Sequence, residues 1–145
     1  MLHLKHGITL ILLMLIATIY GQNNYKSGYF IQNNGKRVNC LIQESDLSKT
    51  PVVFKYKISA SSITYKIPTD SVKEVQITDG IRYKWVDING GTNNNARLFL
   101  NVLVSGKASL YQHDDGKSVE YFFQMKDSTV QFLPPPDETN NQVNY

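Results

Sequence analysis

Cysteine is nearly absent from this chain of 145 residues: Cys40 stands alone. A single thiol cannot close an internal disulfide, so the fold must be held by its core. Histidine is almost as scarce. His3 and His6 lie at the extreme N-terminus and only His113 stands in the body of the chain, which excludes multi-histidine zinc sites there and leaves one imidazole with carboxylates alone. No Asn-x-Ser/Thr acceptor occurs beyond residue 21, a pattern that leans toward a bacterial rather than a eukaryotic secreted protein. A strong charge of either sign is missing too, with 15 basic residues against 12 acidic ones. That balance points to no polyanionic partner, nucleic acid included. No window sustains a 3.6-residue apolar period, so helix should be scarce.

One long apolar run is present, Ile8 to Tyr20, behind a short segment carrying Lys5 and ahead of the hydrophilic Gln22-Asn23-Asn24. Its thirteen residues fall short of the ~20 that a membrane-spanning helix needs. The layout is that of a secretory signal peptide over 1–21, cleaved after Gly21, and this is the one helix expected. No cysteine stands near its end, so lipid attachment there is not expected. Removing 21 of 145 residues leaves 124, enough for one domain with its own core. The expected organisation is a signal peptide over 1–21, a β-rich domain over 22–133 and a disordered tail over 134–145, where Pro134-Pro135-Pro136 cannot continue a strand.

From Gly28 onward, short alternating runs are punctuated by Asn-Gly, Asp-Gly and Ser-Gly pairs, the pattern of antiparallel strands joined by tight turns. A two-residue turn at Asn34-Gly35 predicts Ile31 opposite Val38 and Tyr29 opposite Cys40, all on one face. Val52–Lys57 and Ile63–Ile67 read as a second hairpin. Val72–Thr78 and Arg82–Ile88 read as a third, with a bulge pairing Ile77 with Tyr83 and Val75 with Trp85. After a polar loop over Asn89–Asn95, Leu98–Val104, Lys107–His113, Val119–Met125 and Thr129–Leu133 predict a four-stranded meander. The fold class is therefore all-β, an antiparallel sandwich or open barrel of about nine or ten short strands.

Clustered polar residues tempt a functional reading in His113-Asp114-Asp115-Gly116-Lys117-Ser118. Gly116-Lys117-Ser118 resembles the end of a phosphate loop, but Tyr111 stands where its first glycine should be and both flanks are strands. Asp115-Gly116 instead predicts a tight turn, with Leu110 opposite Tyr121, Leu110, Val119, Tyr121 and Phe123 on one buried face, and His113 an exposed flank. A hydrolase centred on His113 with Asp114 or Asp115 is the enzymatic alternative. Cys40 alternates with Val38 and Ile42 and reads as a buried structural thiol. In Phe54-Lys55-Tyr56-Lys57 and Arg82-Tyr83-Lys84-Trp85, cations and aromatics fall on opposite faces of a strand, which argues against a nucleic-acid platform. Trp85 with Tyr83 is the candidate ligand-binding pair, a sugar-stacking surface if that face is exposed. No metal or cofactor is expected.

The stretches Gly28-Tyr29-Phe30-Ile31, Asn34-Gly35-Lys36, Leu103 to Tyr111 and Tyr121-Phe122-Phe123 resemble a family of exported bacterial β-rich envelope proteins of unknown function, some of which carry an outer-membrane-barrel-like domain after this region. The resemblance implies no catalytic residue. Together with the export signal it suggests a non-catalytic module, protein-binding or structural, whose partner is an exported or outer-membrane protein or a surface polysaccharide. The chain should then act in the periplasm, at the outer-membrane surface or outside the cell, with no transmembrane anchor after cleavage. Glycan binding through Trp85 and Tyr83 is the alternative.

Overall fold

A computed structural model describes residues 24–89, 96–126 and 128–135. The expected signal segment, residues 90–95 of the expected loop over 89–95 and residues 136–145 of the expected tail lie outside that range; Asn89 is the last residue of a strand. Alternating apolar residues produce ten strands: β1 (Tyr25–Gln32), β2 (Arg37–Gln43), β3 (Val53–Lys57), β4 (Tyr65–Pro68), β5 (Val72–Ile77), β6 (Arg82–Asn89), β7 (Arg97–Val104), β8 (Ala108–Asp114), β9 (Val119–Met125) and β10 (Val130–Leu133). Among the described residues the only helical pieces are short 3-10 turns at Glu44–Leu47 and Thr69–Ser71. The all-β expectation is met.

All ten strands belong to one sheet in the order β10-β9-β8-β7-β6-β5-β1-β2-β3-β4. Its neighbours are antiparallel, except that β10 also returns to β6 and pairs with it in parallel, Val130 beside Ile88 and Gln131 beside Asn89. That contact closes β6 to β10 into a five-stranded barrel and leaves β5, β1, β2, β3 and β4 outside it. Strand β6 is shared lengthwise. Its first half pairs with β5 at Arg82–Lys84 and its last residues with β10.

Two cores follow from this layout, one on each face of β6 and β7. Val86, Ile88, Leu100, Tyr111, Phe122 and Val130 fill the barrel. Alternate residues of the same two strands, Tyr83 and Phe99, join Phe30, Cys40, Ile42, Leu47, Phe54, Val72, Val75 and Ile77 in the other core. Phe30 meets Phe54 and Tyr56 edge to face, with ring centroids 5.9 and 4.9 Å apart. Each side chain so buried contributes about 1.5–3 kcal/mol over leaving it in water.

Three predicted registers are corrected by the length of the loops. The first hairpin uses the three residues Asn33-Asn34-Gly35, with Gly35 N–H donating to the Gln32 carbonyl (2.8 Å) and Gly35 at φ +86°. Phe30 therefore faces Val38, and Gly28 faces Cys40. A one-residue slip exchanges the faces of a strand, so Phe30 is buried where Tyr29 and Ile31 were expected. In the third hairpin, Thr78-Asp79-Gly80 form the loop and Asp79 takes a positive φ of 54°. Val75 lies opposite Tyr83 rather than Trp85.

In the hairpin of β8 and β9, Asp115-Gly116-Lys117-Ser118 form a four-residue loop. Leu110 lies opposite Phe123, Gln112 opposite Tyr121 and Asp114 opposite Val119. The buried residues are Tyr111 and Phe122, while Val119 and Tyr121 are exposed. The expected buried face of Leu110, Val119, Tyr121 and Phe123 is thus turned outward from the barrel core.

Candidate functional site

The turn 114–118 is a hydrogen-bonded tip. Asp114 Oδ1 accepts the Gly116 N–H at 2.8 Å, and Asp115 Oδ1 accepts the N–H groups of Lys117 and Ser118, each at 2.8 Å. These two amide bonds hold the Asp115 carboxyl below the usual range. Both aspartates thus serve the turn, as Asp does where backbone amides need an acceptor. His113 lies behind them on β8. It is not the exposed flank expected: its side chain is 20% accessible, with Nδ1 3.9 Å from Glu120 Oε2. The bonds of the turn engage one oxygen of each aspartate with backbone amides, and His113 lines a concavity described below.

Cys40 is buried in the core among Phe30 and Ile42, and burial pushes its thiol up to about 12. A thiol so poised stays protonated at neutral pH. Among the described residues no three His, Cys, Asp or Glu side chains gather as a metal set.

Trp85 and Tyr83 point to the same side of β6, as alternation demands, but they differ in access. Tyr83 is 2% exposed. Its ring stacks on Phe99 with centroids 5.6 Å apart, and its hydroxyl donates to the Leu47 carbonyl at 3.4 Å. Burial pushes that phenol up to about 12, assisted by Asp114. Tyr83 therefore offers no face to a ligand, which corrects its place in the expected pair. Trp85 is half-buried. Its Nε1–H donates to the Thr69 carbonyl at 3.0 Å and its ring lies 5.2 Å from that of Phe99.

Trp85 sits where two concavities meet. One, of about 470 Å³, is lined by Asn33, Asp70, Lys73, Trp85 and Arg97. The other, of about 380 Å³, runs from the same Asp70, Trp85 and Arg97 along Pro51, Val52, Pro68 and Leu98 to His113. Together they form a groove with an indole at its centre, a charged end and an apolar end. Asn33 Nδ2 donates to the Asp70 carbonyl at 2.7 Å, tying the first hairpin to the turn before β5. The Arg97 guanidinium lies 5.6 Å from the indole, and its Nε is 3.8 Å from Asp87 Oδ1. Apart from Trp85 and His113, no composition or motif signal singled these residues out, because they come from separate elements.

A second polar cluster lies on the opposite face of β5 and β6. Arg82 Nη2 donates to Glu74 Oε2 at 2.7 Å, and the Tyr29 hydroxyl donates to Glu74 Oε1 at 2.6 Å. Burial raises the Glu74 carboxyl, but the bonds from Arg82 and Tyr29 outweigh it and hold the group below its ordinary value. The Arg37 guanidinium stacks 3.5 Å from the Tyr29 ring, and Lys84 Nζ lies 5.2 Å from that of Tyr111. Each charged group here has a neighbour, as in a structural network, although the buried Arg82 Nε has no hydrogen-bond partner.

The third feature is an edge. Strand β4 ends the sheet order and, among the described residues, pairs only with β3. Around it Val52, Val53, Ile58, Ile63 and Tyr65 are exposed, Val52 at 79% and Ile63 at 70%. Lys55, Lys57 and Lys66 lie on the same hairpin, and residues 53–68 contain no acidic side chain. Comparison with protein-family models, with curated proteins and with solved structures gives no match.

Proposed function

We propose that this protein is an exported, non-catalytic binding module of the bacterial cell envelope that receives an extended segment of another exported protein along β4. The β4 edge carries this reading. An edge strand presents unpaired N–H and C=O groups to any chain that can lie beside it. An added strand gains main-chain hydrogen bonds there, and its alternate side chains meet the surface on either side. Here that surface is Ile63 and Tyr65 with Lys66, while Lys55 is engaged by Asp46 at 3.3 Å and Lys57 lies over the Tyr25 ring, so the matching segment alternates apolar residues with an acidic one. The layout of residues 1–21 supports export.

A photo-crosslinking residue placed at Ile63 or Tyr65 in intact cells should trap an exported protein through a segment of that composition. The same residue at Lys126, in the barrel, should not. Equal trapping at Lys126, or a trapped segment that is basic or helical, would count against the proposal.

A glycan-binding module is a second reading, favoured by the half-buried, hydrogen-bonded Trp85 at the centre of its groove.

A further inference from the structure

We infer that the Trp85 groove binds a glycan whose sugars carry carboxylates, of the uronic-acid class; the inference rests on the second reading above. Trp85 is held from two sides, by the bond from Nε1 to Thr69 and by packing on Phe99. A platform so fixed loses little freedom when a sugar ring lies on it, once the Arg97 guanidinium, now 5.6 Å over the indole, has turned to the ligand. What surrounds the platform sets the class of sugar.

Lys73 and Arg97 both line the charged end beside the indole. Arg97 is 61% accessible and its Asp87 partner 92%, at a long 3.8 Å. An exposed pair of that kind is weak and readily exchanged for a better carboxylate. A guanidinium grips a carboxylate through two parallel bonds, and a lysine adds a point charge. Asp70 stands in the same end of the groove and accepts a bond from Ser71 Oγ at 3.2 Å. A carboxylate there accepts sugar hydroxyls. It also disfavours a dianionic phosphate more than a singly charged uronate, since like charges in one site repel. The apolar end along Pro51, Val52 and Leu98 extends the surface for the carbon face of a second sugar.

Trp85 is the only tryptophan in the chain, so its fluorescence reports on this groove alone. Oligogalacturonate should shift its emission saturably, with calorimetry giving the same affinity. Molar salt should weaken binding, and Lys73→Ala or Arg97→Ala should weaken it about tenfold each, as for loss of a charge-assisted bond. Both side chains are on the surface, so these variants should fold. Carboxyl-reduced oligogalacturonate of the same length is the decisive comparison. If it binds as tightly as the acidic form, the uronate inference is wrong and the glycan reading survives. If neither form binds by either method, both fail. Equal binding of polyglutamate would overturn the inference as well, by showing that charge alone suffices.

Discussion

Thr50 and Asp114, 64 residues apart, bond to each other twice: the Thr50 N–H donates to the Asp114 carbonyl at 3.0 Å, and the Asp114 N–H donates to Thr50 Oγ1 at 2.9 Å. The pair fastens the segment after β2 to the end of β8 in the barrel. Thr50→Val keeps the shape and removes the acceptor, leaving a partly buried amide unpaired. It should cost about 1–2 kcal/mol in urea denaturation. Thr50→Ser keeps the hydroxyl and should stay within about 0.5 kcal/mol of the parent. Thr50→Val at parental stability with Thr50→Ser lowered would show that the methyl group, and not the bond, matters.

Gly28 is where β1 is pressed closest to its neighbours. A Cβ there would overlap the Gln76 carbonyl and come within 2.8 Å of Ile42 Cδ1. Gly28→Ala should therefore destabilise by about 1–3 kcal/mol or more through overpacking. At Gly35 nothing lies within 4 Å of such a Cβ, and only the positive φ opposes it, a strain of roughly 1–2 kcal/mol. Thermal unfolding should rank Gly28→Ala below Gly35→Ala. The reverse order would refute the close approach.

Glu74 sets an acid limb to stability. Its folded carboxyl lies below the ordinary value of 4.5, so its contribution is present in full above that value and is lost as pH falls through the depressed one. Glu74→Gln should cost about 1–3 kcal/mol at neutral pH, because Arg82 loses its charged partner. That difference should shrink steadily below pH 4.5. Stability curves for parent and variant that stay parallel down to acid unfolding would remove Glu74 from the account.

The ten strands were legible because alternation in Val53–Lys57, or a short apolar run such as Leu98–Val104 bounded by turn residues, leaves little choice of conformation. Register was not, because it depends on loop length, and Asn34-Gly35 suits a two-residue turn and a three-residue loop alike. In β1 both faces carry large apolar residues, Phe30 against Tyr29 and Ile31, so burial could not arbitrate. Closure of the barrel was hidden for another reason: β10 meets β6 through a parallel contact between residues 42 positions apart, Ile88 and Val130. Of the groove, only Trp85 and His113 announced themselves, and nothing in the sequence joined the two. Asn33, Asp70, Lys73 and Arg97 become neighbours through the path of the sheet, which alternation within one strand does not encode.

The return of β10 to β6 also decides how many neighbours the sheet can accept. An open ten-stranded sheet has two ends, and copies joined end to end could grow without limit, as fibres do. Here β6 covers β10 at Val130 and Gln131, and among the described strands β4 is the end that no second neighbour covers at all. A molecule with a single such end can add one strand there, whether from another protein or from a copy of itself, and that end is then saturated.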